Sequence, residues 1–242
     1  MIKFVGMTDP GKVRSNNQDN FYCDERGRFA IVADGMGGHA AGAMASQVAV
    51  EAIKNKLLGG WSQTPAAKLL DDAVEAANQA ILADQRRHAD RADMGTTVVI
   101  LLVDREGECW SAHIGDSRLY VYRQNKLIQL TQDHTLVARS VRMGEMTVEQ
   151  SRTHPWRHIL ERCLGRVDTG SPAIQHIALQ SGDRILMCSD GLTEELEDQD
   201  IEYYISQGSL AELPEKLINA AKSNGGRDNI TVVIGDYIAD TK

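Results

Sequence analysis

The chain has 242 residues, 25% of them charged, and its formal net charge at pH 7 is −8. A chain of this length buries a full hydrophobic core, and a single domain over residues 1–242 is expected. The excess of acidic groups repels nucleic acids and anionic membranes, so neither is expected as a partner.

Seven segments combine β-branched residues with flanking turn residues and are predicted to be strands. In chain order they are residues 28–33, 96–103, 109–115, 118–123, 127–131, 183–189 and 229–238. The connectors at 104–108 and 123–126 are short, which indicates antiparallel hairpins rather than parallel crossovers.

Two helices are predicted between the first and the second of these strands. Apolar residues recur at helical spacing over residues 41–52 and again over residues 70–81. Shorter helices are predicted near Leu213–Ala221. Because strands and helices are grouped along the chain and do not alternate, the expected fold class is α+β with layers of sheet and helix.

The segment 134–167 separates two groups of strands and is rich in Arg and His. Its Gly144 and Pro155 leave room only for short helices. A connection of this length inside a compact domain is usually functional or mobile, and the alternative is an ordinary helical excursion.

The stretch FAIVADGMGGHAAG, residues 29–42, admits two interpretations. Its Gly35, Gly37 and Ala40 match the G-x-G-x-x-A pattern of a dinucleotide-binding loop. A dinucleotide-binding fold needs a second parallel strand soon after the first helix, whereas here a second helix is predicted to follow the first. A carboxylate at Asp34 would also repel a pyrophosphate. A metal site is therefore favoured over a dinucleotide site.

Further aspartates lie at the ends of predicted elements, and most of them are close to glycine. Besides Asp34 they are Asp19, Asp116, Asp190 and Asp228. Each one alone has the simpler interpretation of a turn former or helix cap. Several carboxylates gathered at one rim would repel each other without cations, so the group predicts a metal site. Oxygen ligands without thiolates favour hard ions such as Mg²⁺ or Mn²⁺.

The chain resembles the metal-dependent protein phosphatases of the PPM (type 2C) family from about Gly6 to Val233. The resemblance rests on the motifs RSNNQD, VADGMGGHAAG, MGTTVV, HIGDSRLY, LTQDHT, MCSDGLTEEL and GGRDNITVV, which have the family's order and spacing. It implies an αββα sandwich of two antiparallel sheets flanked by helices, with a flap at about residues 134–167. The sequence is most similar to small bacterial members that consist of the catalytic domain, and also resembles cyanobacterial members that act on the phosphorylated signalling protein PII.

The resemblance also implies a set of metal ligands. They are the side chains of Asp19, Asp34, Asp116, Asp190 and Asp228 and the carbonyl of Gly35. Asp34 would bridge two ions, Asp19 would hold one of them, and Asp190 and Asp228 would hold the other. Asp116 would complete a third, weaker site with Asp190. The implied cofactors are therefore two catalytic ions, Mn²⁺ or Mg²⁺, and a third ion.

Two further residues receive catalytic roles from the resemblance. Arg14 matches the arginine that binds the substrate phosphate, a role suited to its planar set of donors. Many eukaryotic members have histidine where Met36 stands here, and methionine cannot donate a proton. His39 matches the histidine of the bacterial D-G-M-G-G-H form and is the candidate general acid. Its alternative role is structural, around the site or at the start of the next helix.

The implied activity is hydrolysis of phosphoserine or phosphothreonine in a protein by direct attack of a hydroxide that bridges the metals. A phosphorylated Ser/Thr protein is the expected partner, with phospho-PII as a candidate. The flap is expected to influence which phosphoprotein is accepted, with His158 as a specificity residue. Alternatively, His154 and His158 share a helix face as metal ligands.

Other functions remain as alternatives at this point. A pseudophosphatase would use the same fold as a binding module, although it would be expected to lack one or more of the acids. A phosphatase of small metabolites would share the chemistry at phosphorus. A structural calcium site needs a continuous D-x-[DN]-x-[DN]-G loop, and the sequence has none.

Cysteine usage and the absence of apolar runs suggest a cellular location. The cysteines are far apart in sequence and are expected to be buried free thiols in a reducing cytoplasm: Cys23, Cys109, Cys163 and Cys188. No apolar run is long enough to cross a membrane, and the first residues lack the hydrophobic segment of a signal peptide. A cytoplasmic monomer is expected.

Overall fold

The computed structural model describes residues 2–38 and 40–238, which form two antiparallel sheets. The first sheet contains, in spatial order, β1 (Ile2–Asp9), β11 (Ile230–Tyr237), β10 (Arg184–Cys188), β7 (Arg118–Arg123) and β8 (Lys126–Gln129). The second contains β2 (Asp19–Cys23), β3 (Phe29–Met36), β5 (Val98–Val103), β6 (Cys109–Ile114) and β9 (Ala173–Ile177). A short strand, β4 (Gly95–Thr96), pairs with the end of β3.

Alternation along the strands separates two faces of each sheet. In β3, Phe29 and Ile31 point to the helices, whereas Ala30 and Val32 lie in the core between the sheets. Residues from the opposite sheet, such as Met187 of β10, pack into that same inner core. Strands that are buried on both faces have continuous apolar sequences. This is why the sequence pattern predicts β3, β5, β10 and β11.

Helices cover the outer face of each sheet. On the second sheet, α1 (Ala41–Gly60) and α2 (Ala66–Arg87) bury an Ala- and Leu-rich surface. On the first sheet lie α5 (Asp190–Thr193), α6 (Asp198–Gln207) and α7 (Leu213–Asn224). The expected αββα sandwich is therefore confirmed. Within the described residues, none of the helices has the length and apolar character needed to cross a membrane.

The segment 134–167, called the flap below, contains two short helices, α3 (Leu136–Arg142) and α4 (Val148–Thr153). Its two ends come together through a bridge between Thr135 and Leu160. Nearer its C-terminal end, the Gly165 amide donates a hydrogen bond to Asn78 Oδ1 of α2 at 2.7 Å. The bridge closes the root of the flap, and the Asn78 contact attaches the flap to α2.

The cysteines are free, as expected, although Cys23 is only partly buried. The other three are buried, and burial raises the pKa of Cys188 to about 12. A thiol with so high a pKa stays protonated and unreactive at neutral pH. The cysteines therefore act as small apolar groups in the core.

Candidate functional site

The predicted acids come from both sheets and meet at one end of the sandwich. Asp19, at the start of β2, pairs directly with Asp34 of β3. Asp190 follows β10 at the start of α5, and Asp228 lies just before β11. A cleft of about 550 Å³ is lined by Asp34, Asp190 and Asp228 together with Asp116. Aspartates up to 194 positions apart in sequence, Asp34 and Asp228, thus line one cavity, and Asp19 lies buried beside Asp34.

The Asp19 carboxylate has one satisfied and one unsatisfied oxygen. Its Oδ2 accepts hydrogen bonds from the hydroxyls of Ser189 and Thr231, each at 2.7 Å. Its Oδ1 is buried and has no hydrogen-bond partner among the residues that the structure describes. Burial raises the pKa of Asp19 to about 7, although the two hydroxyls lower it. A cation, bound directly or through a water, would supply the partner that this buried carboxylate oxygen lacks.

Burial and the crowding of like charges raise the pKa values of the neighbouring carboxyls as well. Burial, followed by the charge of Asp19, raises the pKa of Asp34 well above its usual value. Burial and the charge of Asp190 do the same for the pKa of Asp116. Burial and the charge of Asp228 raise the pKa of Asp190 to about 6. Such a group of carboxylates is stable in its charged form only when cations neutralise it, so the donor set fits divalent metal ions.

Two threonines hold the backbone of Asp34. The Asp34 amide donates to Thr97 Oγ1 at 3.1 Å, and Thr96 Oγ1 donates to the Asp34 carbonyl at 2.8 Å. Thr97 Oγ1 also lies 2.6 Å from Ser117 Oγ, in the residue after Asp116. Because the Thr97 hydroxyl accepts from Asp34, its own proton is free to be donated to Ser117. Thr97 therefore links the strand of Asp34 to the turn that carries Asp116.

Gly35 is required by packing. A Cβ atom at this position would overlap the carbonyl oxygen of Gly42 at the start of α1. The Gly35 amide donates to the carbonyl of Gln18 at 3.1 Å, so the strand and the preceding loop are also joined here. With no side chain in the way, the Gly35 backbone lines the cleft beside Asp34.

Arg14 lies at the rim of the cleft. Its Nη2 donates to Asp228 Oδ2 at 2.6 Å, and this hydrogen bond raises the pKa of the guanidinium. The Arg14 side chain keeps 53% of its exposure, so other donors of its planar fork face solvent. The arginine is thus fixed by one acid while remaining accessible to an anion.

The flap brings His158 to the same cleft. His158 Nδ1 lies 2.5 Å from Glu194 Oε1, and the pKa of Glu194 is raised to about 7 by burial and by the charge of Asp190. A ring nitrogen of His158 and one carboxylate oxygen each of Asp190 and Glu194 lie within 4.8 Å of one another. His154, in contrast, contacts Trp156 and is not part of this cluster.

Glu194 is a site residue that sequence reasoning missed. It caps the C-terminus of α5, four residues after Asp190 at the start of that helix, a spacing that places two side chains on one helix face. That spacing was the available signal. The flap residue Arg157 and the neighbouring Arg227 also line the cleft and were not singled out.

Met36 lines the cleft. His39, the candidate general acid, lies outside the described residues. Of the other predicted site residues, Asp19 is buried beside Asp34. The rest line one cavity: Arg14, Asp34, Gly35, Asp116, His158, Asp190 and Asp228.

Comparison with known proteins identifies the family. The family model for protein phosphatase 2C matches residues 12–231. The serine/threonine phosphatase stp of Listeria welshimeri is 35% identical over 238 residues, covering 94% of this chain and 92% of that protein. The serine/threonine protein phosphatase PstP of Mycobacterium tuberculosis is 37% identical over 98% of this chain, which spans only 45% of the length of PstP.

Solved structures show the same similarity. The crystal structure of the Mycobacterium tuberculosis phosphatase PstP/Ppp superposes with a TM-score of 0.92 at 37% identity, covering 98% of this chain and 99% of that chain. The catalytic domain of PstP in complex with two manganese ions has a TM-score of 0.87 at 35% identity, covering 98% and 99%. With the family model matching most of its length, this chain belongs to the protein phosphatase 2C family.

Proposed function

We propose that this protein is a metal-dependent phosphatase that hydrolyses phosphoserine and phosphothreonine in proteins. The observation that supports this most directly is the group of buried carboxylates at one end of the sandwich, with Asp19 Oδ1 unsatisfied. Relatives of the same length and family carry the name serine/threonine phosphatase. A binding module would have no need for this costly group of like charges.

The proposed ligands follow from the geometry and from the family. Asp34, assisted by the Gly35 carbonyl, would hold both catalytic ions, with Asp19 on one of them. Asp190 and Asp228 would complete the other, and a third ion would lie between Asp190 and Asp116. When bound, ions of this kind activate water for attack on phosphorus and offset the charge that develops on the phosphate oxygens. Manganese is the favoured ion because the related PstP catalytic domain holds two, and Mg²⁺ suits the same oxygen ligands.

The protein's own side chains orient the substrate. Arg14 has free donors at the rim and would bind the phosphate oxygens through its planar guanidinium while Asp228 keeps it in place. His39 stays the candidate for protonating the departing alkoxide. The flap borders the cleft through His158, so it would contact the protein around the phosphorylated residue.

The proposed substrate is a phosphorylated protein in a signalling pathway, with phospho-PII as a candidate. The protein is proposed to act as a monomer in the cytoplasm, where its free thiols would stay reduced. The open cleft beside the flap supports a macromolecular substrate over a small metabolite.

Hydrolysis of p-nitrophenyl phosphate by purified protein tests the function. Turnover is expected with Mn²⁺ or Mg²⁺ and none with EDTA, and Asp34→Ala is expected to abolish turnover while the protein stays folded. Lys3→Ala is the control and should leave turnover unchanged, because Lys3 pairs with Asp236, at the end of the β1–β11 pair away from Asp228. A folded wild-type protein that is inactive with every metal would make the binding module the better interpretation.

A further inference from the structure

His134, the first residue of the flap, is joined to the turn that carries Asp116. The Gly115 amide donates to His134 Nδ1 at 3.1 Å, and the His134 amide donates to the Gly115 carbonyl at 3.0 Å. One residue thus forms two reciprocal hydrogen bonds with the residue immediately before Asp116. The imidazole is half-buried in this position.

The same residue lies in the root of the flap. The His134 carbonyl accepts from the Glu161 amide at 2.8 Å, next to the bridge between Thr135 and Leu160. Both ends of the flap are therefore tied to His134. A displacement of the flap root would be transmitted to Gly115 through the backbone and the side chain of His134.

The Gly115 turn has little freedom of its own. Gly115 adopts a φ of +104°, a conformation that side-chain-bearing residues rarely adopt. A Cβ atom there would lie 2.6 Å from the Thr97 side chain, so the turn is packed closely against the Asp34 support. The direction of the following Asp116 carboxylate depends on how this turn is held.

The imidazole itself is well oriented. His113 stacks on His134 with ring centroids 4.7 Å apart and an interplanar angle of 14°. His113 Nε2 is 2.9 Å from the Gln132 carbonyl, which can only accept, so that nitrogen carries a proton. Burial and the charge of His113 lower the pKa of His134 to about 4, which leaves its imidazole neutral with Nδ1 as an acceptor.

We propose that His134 is a positioning residue, which holds the Asp116 turn against the root of the flap and so places the Asp116 carboxylate for the third metal ion. The inference rests on the proposed role of Asp116. Mutation of a residue that orients a metal ligand typically lowers metal affinity or activity about 10- to 100-fold.

Four variants test the role of His134 in the full chain. His134→Asn keeps an acceptor where Nδ1 lies, whereas His134→Phe keeps the ring for stacking and removes the acceptor. Asp116→Asn removes the proposed ligand itself. His176→Phe is the matched control, because His176 lies at the far edge of the second sheet and pairs with Glu108.

The measurement is calorimetric titration of each variant with Mn²⁺, with circular dichroism as the check of folding. Wild-type protein is expected to show a weak binding event besides the tight ones, and Asp116→Asn should lose it. His134→Phe should weaken that event about 10- to 100-fold, while His134→Asn and His176→Phe stay close to wild type. If His134→Phe does not fold, His134→Gln replaces it, since its amide oxygen lies one methylene farther out.

Two kinds of failure are distinguishable. If the weak event is missing from wild type or persists in Asp116→Asn, the proposed role of Asp116 is wrong and the inference falls with it. If Asp116→Asn loses the event but His134→Phe retains it at full strength, only the role of His134 is wrong. Equal loss in His134→Asn and His134→Phe would also overturn the role, since the acceptor would then be irrelevant.

Discussion

Thr97 holds two parts of the site with one neutral hydroxyl. It accepts from the Asp34 amide and lies 2.6 Å from Ser117 Oγ. Thr97→Val keeps the shape but leaves the Asp34 amide without its acceptor, so kcat on p-nitrophenyl phosphate should fall about 10- to 100-fold. Thr97→Ser keeps the hydroxyl and should retain most of the activity at saturating Mn²⁺. Equal activity in the two variants would show that the hydroxyl has no part in holding Asp34.

His158 provides a test of substrate selection. Its side chain is exposed on the flap and is held by Glu194 at 2.5 Å, outside the proposed ligand set. His158→Ala should lower kcat/KM on a phosphoprotein while leaving p-nitrophenyl phosphate hydrolysis nearly unchanged, because only the larger substrate reaches the flap. An equal loss on both substrates would mean that His158 acts in the chemical step or in metal binding. Val167→Ala, at an exposed residue at the end of the flap, is the control.

The site residues that could be read from the sequence are those with a local signal. Asp34 and Asp190 stand beside glycines at strand ends, and such a pattern is visible without a structure. His134 and Thr97 act through hydrogen bonds to residues 19 and 63 positions away, so nothing near them in sequence marks their roles. Hydrogen bonds between residues far apart in the chain could therefore not be predicted from the sequence pattern.

At the scale of elements, α2 is joined to the end of the flap by Asn78. Its Oδ1 accepts from the Gly165 amide at 2.7 Å, and its Nδ2 donates to the Arg166 carbonyl at 3.0 Å. Asn78→Ala leaves the buried Gly165 amide without its acceptor, whereas the Arg166 carbonyl still accepts from Thr169 Oγ1 at 2.8 Å. The unpaired amide should cost about 1–3 kcal/mol of unfolding free energy. Urea denaturation measures the loss.

The control for Asn78 lies on the neighbouring helix. Asn55 of α1 hydrogen-bonds Glu51 on an exposed surface at 3.1 Å. Asn55→Ala should therefore change the unfolding free energy by less than about 0.5 kcal/mol. Similar losses in both variants would show that α2 does not anchor the flap through Asn78.

The strands that the sequence pattern missed share one property. All seven predicted strands are present, but β1, β2 and β9 were not predicted, and each lies at the edge of a sheet. Edge strands bury less surface, so their sequences carry no continuous apolar run: most residues of β1 and β9 are only partly buried or exposed. The αββα arrangement came from the family resemblance, because periodicity shows which residues are buried but not which layers face each other.

At the scale of the whole molecule, metal binding should stabilise the fold in a pH-dependent way. Without ions, the pKa values of Asp190 and Asp19 are raised by burial to about 6 and about 7, above their unfolded values. Bound protons therefore stabilise the metal-free fold at low pH, and this contribution is lost as the pH rises through these values. Mn²⁺ replaces the protons, so the gain in Tm on adding Mn²⁺ should grow over the same range.

Differential scanning calorimetry with and without saturating Mn²⁺ measures this gain. Taking the difference at each pH removes the contributions of groups far from the cleft. In Asp34→Asn, the gain in Tm should be small at every pH, because the proposed bridging ligand is missing. A gain in wild type that does not change with pH would mean that protons and Mn²⁺ do not compete for the same carboxylates.

The pairing of β1 with β11 has a consequence for how the protein is made. The two strands lie side by side from Ile2 and Tyr237 to Asp9 and Ile230, so this sheet cannot be completed until its last strand is available. Contacts of such high sequence separation form slowly. While β11 is still inside the ribosome, Asp19 lacks the Thr231 hydroxyl that fixes its carboxylate. A nascent chain therefore lacks part of the support of the proposed metal site, and we expect catalytic competence only after translation has passed β11.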